Sequence, residues 1–123
     1  MKSIGAFSLV ALFLLGCPPV MDPVICTEIF VFGLNVTVTD GNGDPVSGAT
    51  LTLVEGDYTE IMTEIDPMGQ SGVYVGAGER AGTYSLTIEA GGFDTVTFDN
   101  NIAIDADECH VIPVGLALSL TGI

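Results

Sequence analysis

The densest set of reactive side chains in the chain is Asp105-Ala106-Asp107-Glu108-Cys109-His110. Carboxylates and an imidazole this close together could hold a cation. A thiol beside an imidazole could also act as a nucleophile, but the acidic neighbours Asp107 and Glu108 would raise its pKa and oppose that use. A turn that enters a strand beside a disulfide accounts for the same residues and is the preferred reading. A second polar run, Asp40-Gly41-Asn42-Gly43-Asp44, imitates the opening of a calcium loop. An EF-hand loop needs Gly at its sixth position and Glu at its twelfth. Pro45 and Leu51 stand there, so that reading fails. A looser calcium site shared with another loop stays open beside a plain turn, because Asp and Asn form turns without any metal. The weak metal candidates are therefore Asp40, Asn42, Asp44, Asp105 and Asp107.

Composition removes most other chemistries. The chain has 123 residues, 16 acidic and 2 basic, with one histidine and a formal charge of −14. Its length suits one domain. With Lys2 and Arg80 as the basic residues, no positive surface can track phosphates, which excludes nucleic acid as a partner. His110 alone cannot serve a mechanism that needs two histidines, and three cysteines are too few for a four-thiolate zinc site. Paired carboxylates for glycoside hydrolysis carry no signal in so acidic a chain, since some pair falls at almost any separation. Ser47, Ser71 and Ser85 sit in no nucleophile elbow. The chain has no Trp, and Tyr58 and Tyr74 are the candidates for an exposed sugar-stacking platform, with edge-strand packing as the competing reading.

The N-terminus reads as a sorting signal. Lys2 precedes an apolar run from Ile4 to Leu15, which is closed by Pro18 and Pro19. A spanning helix needs about 20 apolar residues, so this run fits a secretory signal peptide instead. Leu14-Leu15-Gly16-Cys17 resembles the lipobox of bacterial lipoproteins. The resemblance implies acylation of Cys17, which becomes the first mature residue and anchors a soluble domain to the membrane. Pro18 rather than Asp after that cysteine implies the outer membrane in a Gram-negative envelope. Loss of residues 1–16 removes Lys2 and leaves Arg80 against the sixteen acids, a side-chain charge of −15.

With Cys17 lipidated, Cys26 and Cys109 remain, and two cysteines in an exported chain most simply pair. Such a bridge closes almost the whole domain into one loop, for which the chain-entropy model gives about 4 kcal/mol. Three prolines between residues 18 and 25 read as a short stiff tether. The expected organisation is a leader at 1–16, a lipidated Cys and tether at 17–25, and one domain at 26–123.

Within that domain apolar residues recur with period two, and no amphipathic helix is evident. A strand over Glu28–Thr39 places Phe30, Phe32, Leu34, Val36 and Val38 on one face. Others are expected at Thr50–Val54, at Tyr58–Ile65 along an edge, at Val73–Val75, from Tyr84 to Ala90, at Phe93–Phe98 and at Ile102–Ile104. A last strand over His110–Leu120 points Ile112, Val114, Leu116, Leu118 and Leu120 one way. Asp66–Gly72, Gly76–Gly82 and Asp99–Asn101 read as loops or turns, the second of them flexible. Seven or eight short strands joined by Gly-rich turns predict an all-β antiparallel sandwich.

Two stretches resemble carboxypeptidase regulatory-like domains. The first is Val36 to Ala49, through Asp40, Gly43, Pro45, Val46, Gly48 and Ala49; the second is Gly82-Thr83-Tyr84 with Ala90-Gly91-Gly92-Phe93. The resemblance implies a transthyretin-like sandwich used as an accessory module, with Tyr84 and Phe93 between the sheets. No peptidase activity comes with it. Hydroxyisourate hydrolases share that fold but use several histidines and arginines, for which His110 and Arg80 are insufficient. The expected function is a non-enzymatic, lipid-anchored envelope protein without a cofactor, contacting an envelope protein partner through Gly76–Gly82 or Tyr58–Ile65. The rival expectation is a carbohydrate-binding or calcium-dependent module, and a small hydrolase ranks below both.

Overall fold

The computed structural model describes residues 26, 28–65 and 72–123. The leader, Cys17, the tether and most of the Asp66–Gly72 loop lie outside the described residues. Among the described residues eight strands form: β1 (Phe32–Thr39), β2 (Thr50–Glu55), β3 (Tyr58–Ile61), β4 (Thr63–Ile65), β5 (Val73–Gly78), β6 (Gly82–Glu89), β7 (Val96–Ile104) and β8 (Val114–Ser119). They make two four-stranded sheets, in the orders β4-β5-β1-β8 and β3-β2-β6-β7. The expected all-β sandwich is present.

Alternation explains the core. Leu34, Val36 and Val38 from β1 face Leu51 and Leu53 from β2 and Leu86 and Ile88 from β6, all fully buried. Tyr74 and Tyr84 are the largest buried side chains, one from each sheet. A buried hydroxyl needs partners. Tyr74 Oη donates to the Val46 carbonyl at 2.7 Å and accepts the Ala49 N–H at 3.0 Å. Tyr84 thus sits between the sheets as expected, whereas Phe93 packs at the margin, half-buried.

The sheets are not wholly antiparallel. β1 and β8 run parallel, in register from Leu34↔Val114 to Thr39↔Ser119. Hairpins force neighbours to be antiparallel, but β8 arrives by a long crossover from the opposite sheet, and no hairpin sets its direction. The expected edge strand Tyr58–Ile65 is two strands. β3 closes the edge of one sheet and β4 the edge of the other, and the chain passes between them at Met62, which is buried. Asp99–Asn101 is no turn. β7 runs through it with a bulge, where the pairing shifts from Leu86↔Phe98 to Tyr84↔Ile102. Asn100 takes a left-handed φ of 51° there, and its N–H donates to Ser85 Oγ at 2.8 Å.

The ends of the long strands also differ from expectation. Ile112 is 49% exposed while its neighbour Val111 is buried, because Pro113 breaks the ladder and resets the alternation before β8. Phe30 and Phe32 lie outside the core and stack edge to face at 5.1 Å, with Phe30 covering Gly78. Gly33 between them and the core admits no side chain, since a Cβ there would come within 2.7 Å of Ile104 Cγ2 and 2.8 Å of the Ala77 carbonyl oxygen. Gly33→Ala is expected to cost about 1–3 kcal/mol by overpacking. Gly91→Ala, where a Cβ meets nothing within 4 Å, should leave the urea midpoint almost unchanged; equal midpoints for the two variants would contradict this packing.

Candidate functional site

The polar groups of the sandwich concentrate where the chain crosses from one sheet to the other between β5 and β6. Ala77 and Glu79 both adopt left-handed backbone, at φ 53° and 50°. Such conformations persist only where the surroundings hold them. Here the Glu79 N–H donates to the Val31 carbonyl at 2.9 Å, and the Arg80 N–H donates to the Ala77 carbonyl at 3.2 Å. The segment Gly76–Gly82 is therefore a tied crossover whose first residues belong to β5, not the flexible loop its glycines suggest.

Glu79 and Arg80 then reach in different directions. Glu79 Oε2 accepts the Val31 N–H at 3.0 Å and lies 2.6 Å from His110 Nδ1, and Oε1 accepts the Val111 N–H at 3.3 Å. One carboxylate thereby joins the approach to β1 with the approach to β8. Cys26 and Cys109 join the same two segments covalently, by a disulfide spanning 83 residues of sequence. Arg80 Nη1 donates to Glu55 Oε1 at 2.6 Å and to Tyr84 Oη at 3.0 Å, and its guanidinium lies 3.7 Å above the Tyr58 ring. Tyr84 Oη in turn donates to the Arg80 carbonyl at 2.8 Å. Glu55 Oε2 accepts the Thr83 N–H at 2.9 Å.

Two of the candidate metal ligands, Asp40 and Asp107, are engaged with main-chain N–H groups. Asp40 Oδ1 accepts the N–H groups of Asn42 at 2.8 Å and Asp44 at 3.0 Å, which makes the segment a capped turn. Gly43 and Gly48 supply the left-handed φ of 84° and 77° that this connection requires. Asp107 Oδ1 accepts the N–H groups of Cys109 at 2.8 Å and His110 at 2.9 Å. Among the described residues no three acidic, Cys or His side chains gather as a metal site, and no cleft of ligand size opens. Tyr74 is buried and Tyr58 is half-buried beneath Arg80, so neither offers a free stacking face.

Sequence spacing does not single out four of the bracing carboxylates: Glu55, Glu60, Glu64 and Glu79. Glu60 Oε1 accepts the Ala77 N–H at 3.1 Å and the Tyr58 hydroxyl at 2.8 Å, which ties the edge of one sheet to the other. Glu64 Oε1 and Oε2 accept the N–H groups of Gly48 and Gly72 at 2.9 and 3.0 Å. The available signal was parity: Glu60 alternates with Tyr58 and Met62, an inward phase for an acid.

The pKa directions follow from these bonds. The Glu55 carboxyl is held below its usual range first by Arg80 and then by the Thr83 N–H. The Gly72 and Gly48 N–H groups lower Glu64. Burial pushes Glu79 up, but His110 and the Val31 and Val111 N–H groups together overcome it and leave it lowered. Asp107 is lowered by the His110 and Cys109 N–H groups. The Tyr74 hydroxyl is raised by burial.

A two-sheet domain whose polar groups brace its crossovers, rather than converge on a cleft, belongs to the class of β-sandwich modules. The profile of the carboxypeptidase regulatory-like domain matches residues 33–115. The chain belongs to the carboxypeptidase regulatory-like domain family, a non-catalytic β-sandwich module. A search of the curated proteins finds no match to the chain.

Depressed carboxylates favour the folded state while ionised. That stability is complete above the unfolded pKa near 4.5 and is lost as pH falls through the lower folded values. Urea midpoints should therefore hold from pH 7 to about 5 and drop below about 4.5. Glu64→Gln and Glu79→Gln should each lower the midpoint at pH 7 and flatten the acid limb; an unchanged limb in both would rule out this assignment. Cys109→Ala should cost about 2–5 kcal/mol in the oxidised protein and nothing under reductant, as read by denaturation with and without dithiothreitol.

Proposed function

We propose that the protein is a non-enzymatic, lipid-anchored cell-envelope protein whose sandwich serves as a structural or protein-interaction module. The Cys26–Cys109 disulfide carries this reading. Disulfides persist in oxidising compartments, which supports export of the chain. Pairing of those two cysteines leaves Cys17, the third, at the end of the apolar run and within the lipobox-like Leu14-Leu15-Gly16-Cys17. Acylation there places eight residues, 18 to 25, between the lipidated Cys17 and the disulfide, and three of them are prolines, a composition suited to a stiff spacer. Pro18 rather than Asp supports the outer membrane as the destination.

Family membership supports the non-enzymatic half of the proposal. The lone Arg80 and His110 are already engaged with Glu55 and Glu79, in contacts that stabilise the fold. A module of this kind works by holding a surface in place, and its partner is an envelope protein.

The test is expression of the full chain in a bacterial host with a clickable fatty acid. The wild type should take up label and follow the membrane fraction; Cys17→Ser should lose both while keeping its disulfide. Equal labelling of the two would remove the anchor from the proposal.

A further inference from the structure

Four strands end the two sheets: β3, β4, β7 and β8. An exposed edge is a template for pairing, and natural proteins guard it with charges, bulges or breaks. Three of these edges are guarded. β3 carries Glu60, β4 carries Glu64, and the chain breaks between them at Met62; β7 carries Asp99 and the bulge at Asn100. β8, Val114-Gly115-Leu116-Ala117-Leu118-Ser119, carries no charge and no bulge, and among the described residues it pairs with β1 alone.

The orientation of its free groups is known. Leu120 N–H donates to the Thr39 carbonyl at 2.8 Å, and the Leu118 carbonyl accepts Thr39 Oγ1 at 3.3 Å. Even-numbered residues of β8 thus turn their main-chain groups to β1. Gly115, Ala117 and Ser119 turn theirs to the open edge. Their side chains are small and exposed, while Val114, Leu116 and Leu118 stay half-buried on the core side.

We propose that β8 pairs antiparallel with β8 of a second copy of this chain. The choice of occupant follows from charge. Each copy carries a formal charge of −14, so two copies repel almost anywhere they meet. Like charges directly opposite are destabilising across a strand pair, and β8 is the one edge of the four where self-pairing places none. A basic partner would find no carboxylate on this strand to recognise. A two-fold axis through Ala117 sets Ala117 against itself and Gly115 against Ser119, and each pair exchanges both main-chain bonds. Small residues meet small residues. The half-buried Leu116 and Leu118 gain cover from their counterparts, and the two sheets become one across the axis. The proposal is independent of the lipid anchor.

Residues directly opposite across such a pair have Cα atoms about 5.5 Å apart, within the range a disulfide spans. The full chain bearing Ala117→Cys, exported to an oxidising compartment, should therefore run as a covalent dimer on a non-reducing gel. Thr97→Cys, exposed on β7, should stay at the wild-type level. Gly115→Cys and Ser119→Cys should each remain monomeric alone and cross-link when differently tagged copies are expressed together. Repeating the set with Cys17→Ser separates failure of the anchor from failure of the pairing. In sedimentation of the full chain in detergent, Ala117→Asp should raise the dimer Kd at least about tenfold by opposing two carboxylates. Wild-type association should strengthen with salt, because screening relieves repulsion as the Debye length falls from about 30 Å at 0.01 M to about 3 Å at 1 M. Cross-linking of Ala117→Cys no greater than that of Thr97→Cys, self-linking of Gly115→Cys, or association that weakens with salt would each overturn the proposal.

Discussion

Carboxylates bound to main-chain N–H groups hold this domain together at its joints. With sixteen acids and two basic residues, ion pairing cannot satisfy the side chains. Asp40, Glu55, Glu60, Glu64, Glu79 and Asp107 each accept at least one N–H instead. The amides they take are ones that the β-ladders leave over, at turns and crossovers. A hydrogen bond to an ionised acceptor is stronger than a neutral one, so an acidic composition that costs self-repulsion also supplies strong caps for irregular backbone. Arg80 and His110 do not depart from this logic. Each lies beside a carboxylate that also grips a main-chain N–H.

Glu79 shows how much one such bond organises. It sits on a left-handed residue at the β5–β6 crossover and gathers Val31, His110 and Val111. Those contacts bring the approaches of β1 and β8 side by side, where the Cys26–Cys109 bridge makes the arrangement covalent. Both strands then leave this end in the same direction, which accounts for the parallel pairing of β1 with β8. Loop-closure entropy penalises a contact between strands at opposite ends of the chain, and a disulfide spanning 83 residues lowers that penalty by restricting the unfolded chain.

The arrangement also accounts for what the surface offers. Six of the carboxylates are spent on bracing, the aromatic rings of Tyr74 and Tyr84 are spent on the core, and the glycines at 76 and 33 are closed over by neighbouring atoms. Main chain stays open at the sheet edges. Among the described residues such a module offers strand edges and shape rather than a cleft, which agrees with membership of a family of non-catalytic sandwiches.

Period-two alternation made most of the strands legible, because burial of one sheet face leaves its mark on every second residue. Leu34, Val36, Val38, Leu51, Leu53, Leu86 and Ile88 read as core and are core. The turn at Asp40–Asp44, the inward Tyr84 and the pairing of Cys26 with Cys109 were legible for equally local or compositional reasons. Alternation says nothing about which sheet a strand joins, so Tyr58–Ile65 read as one edge although Met62 divides it between two sheets. Glycine content suggested flexibility at Gly76–Gly82, yet bonds from Val31, His110 and Val111, distant in sequence, pin that crossover. The parallel direction of β8, the bulge that replaces a turn at Asn100, and the conversion of Glu55, Glu60, Glu64 and Glu79 from surface charge to structural caps were decided by tertiary structure alone. Each depends on which N–H group or strand the folded chain brings within reach, and sequence spacing carries no trace of that.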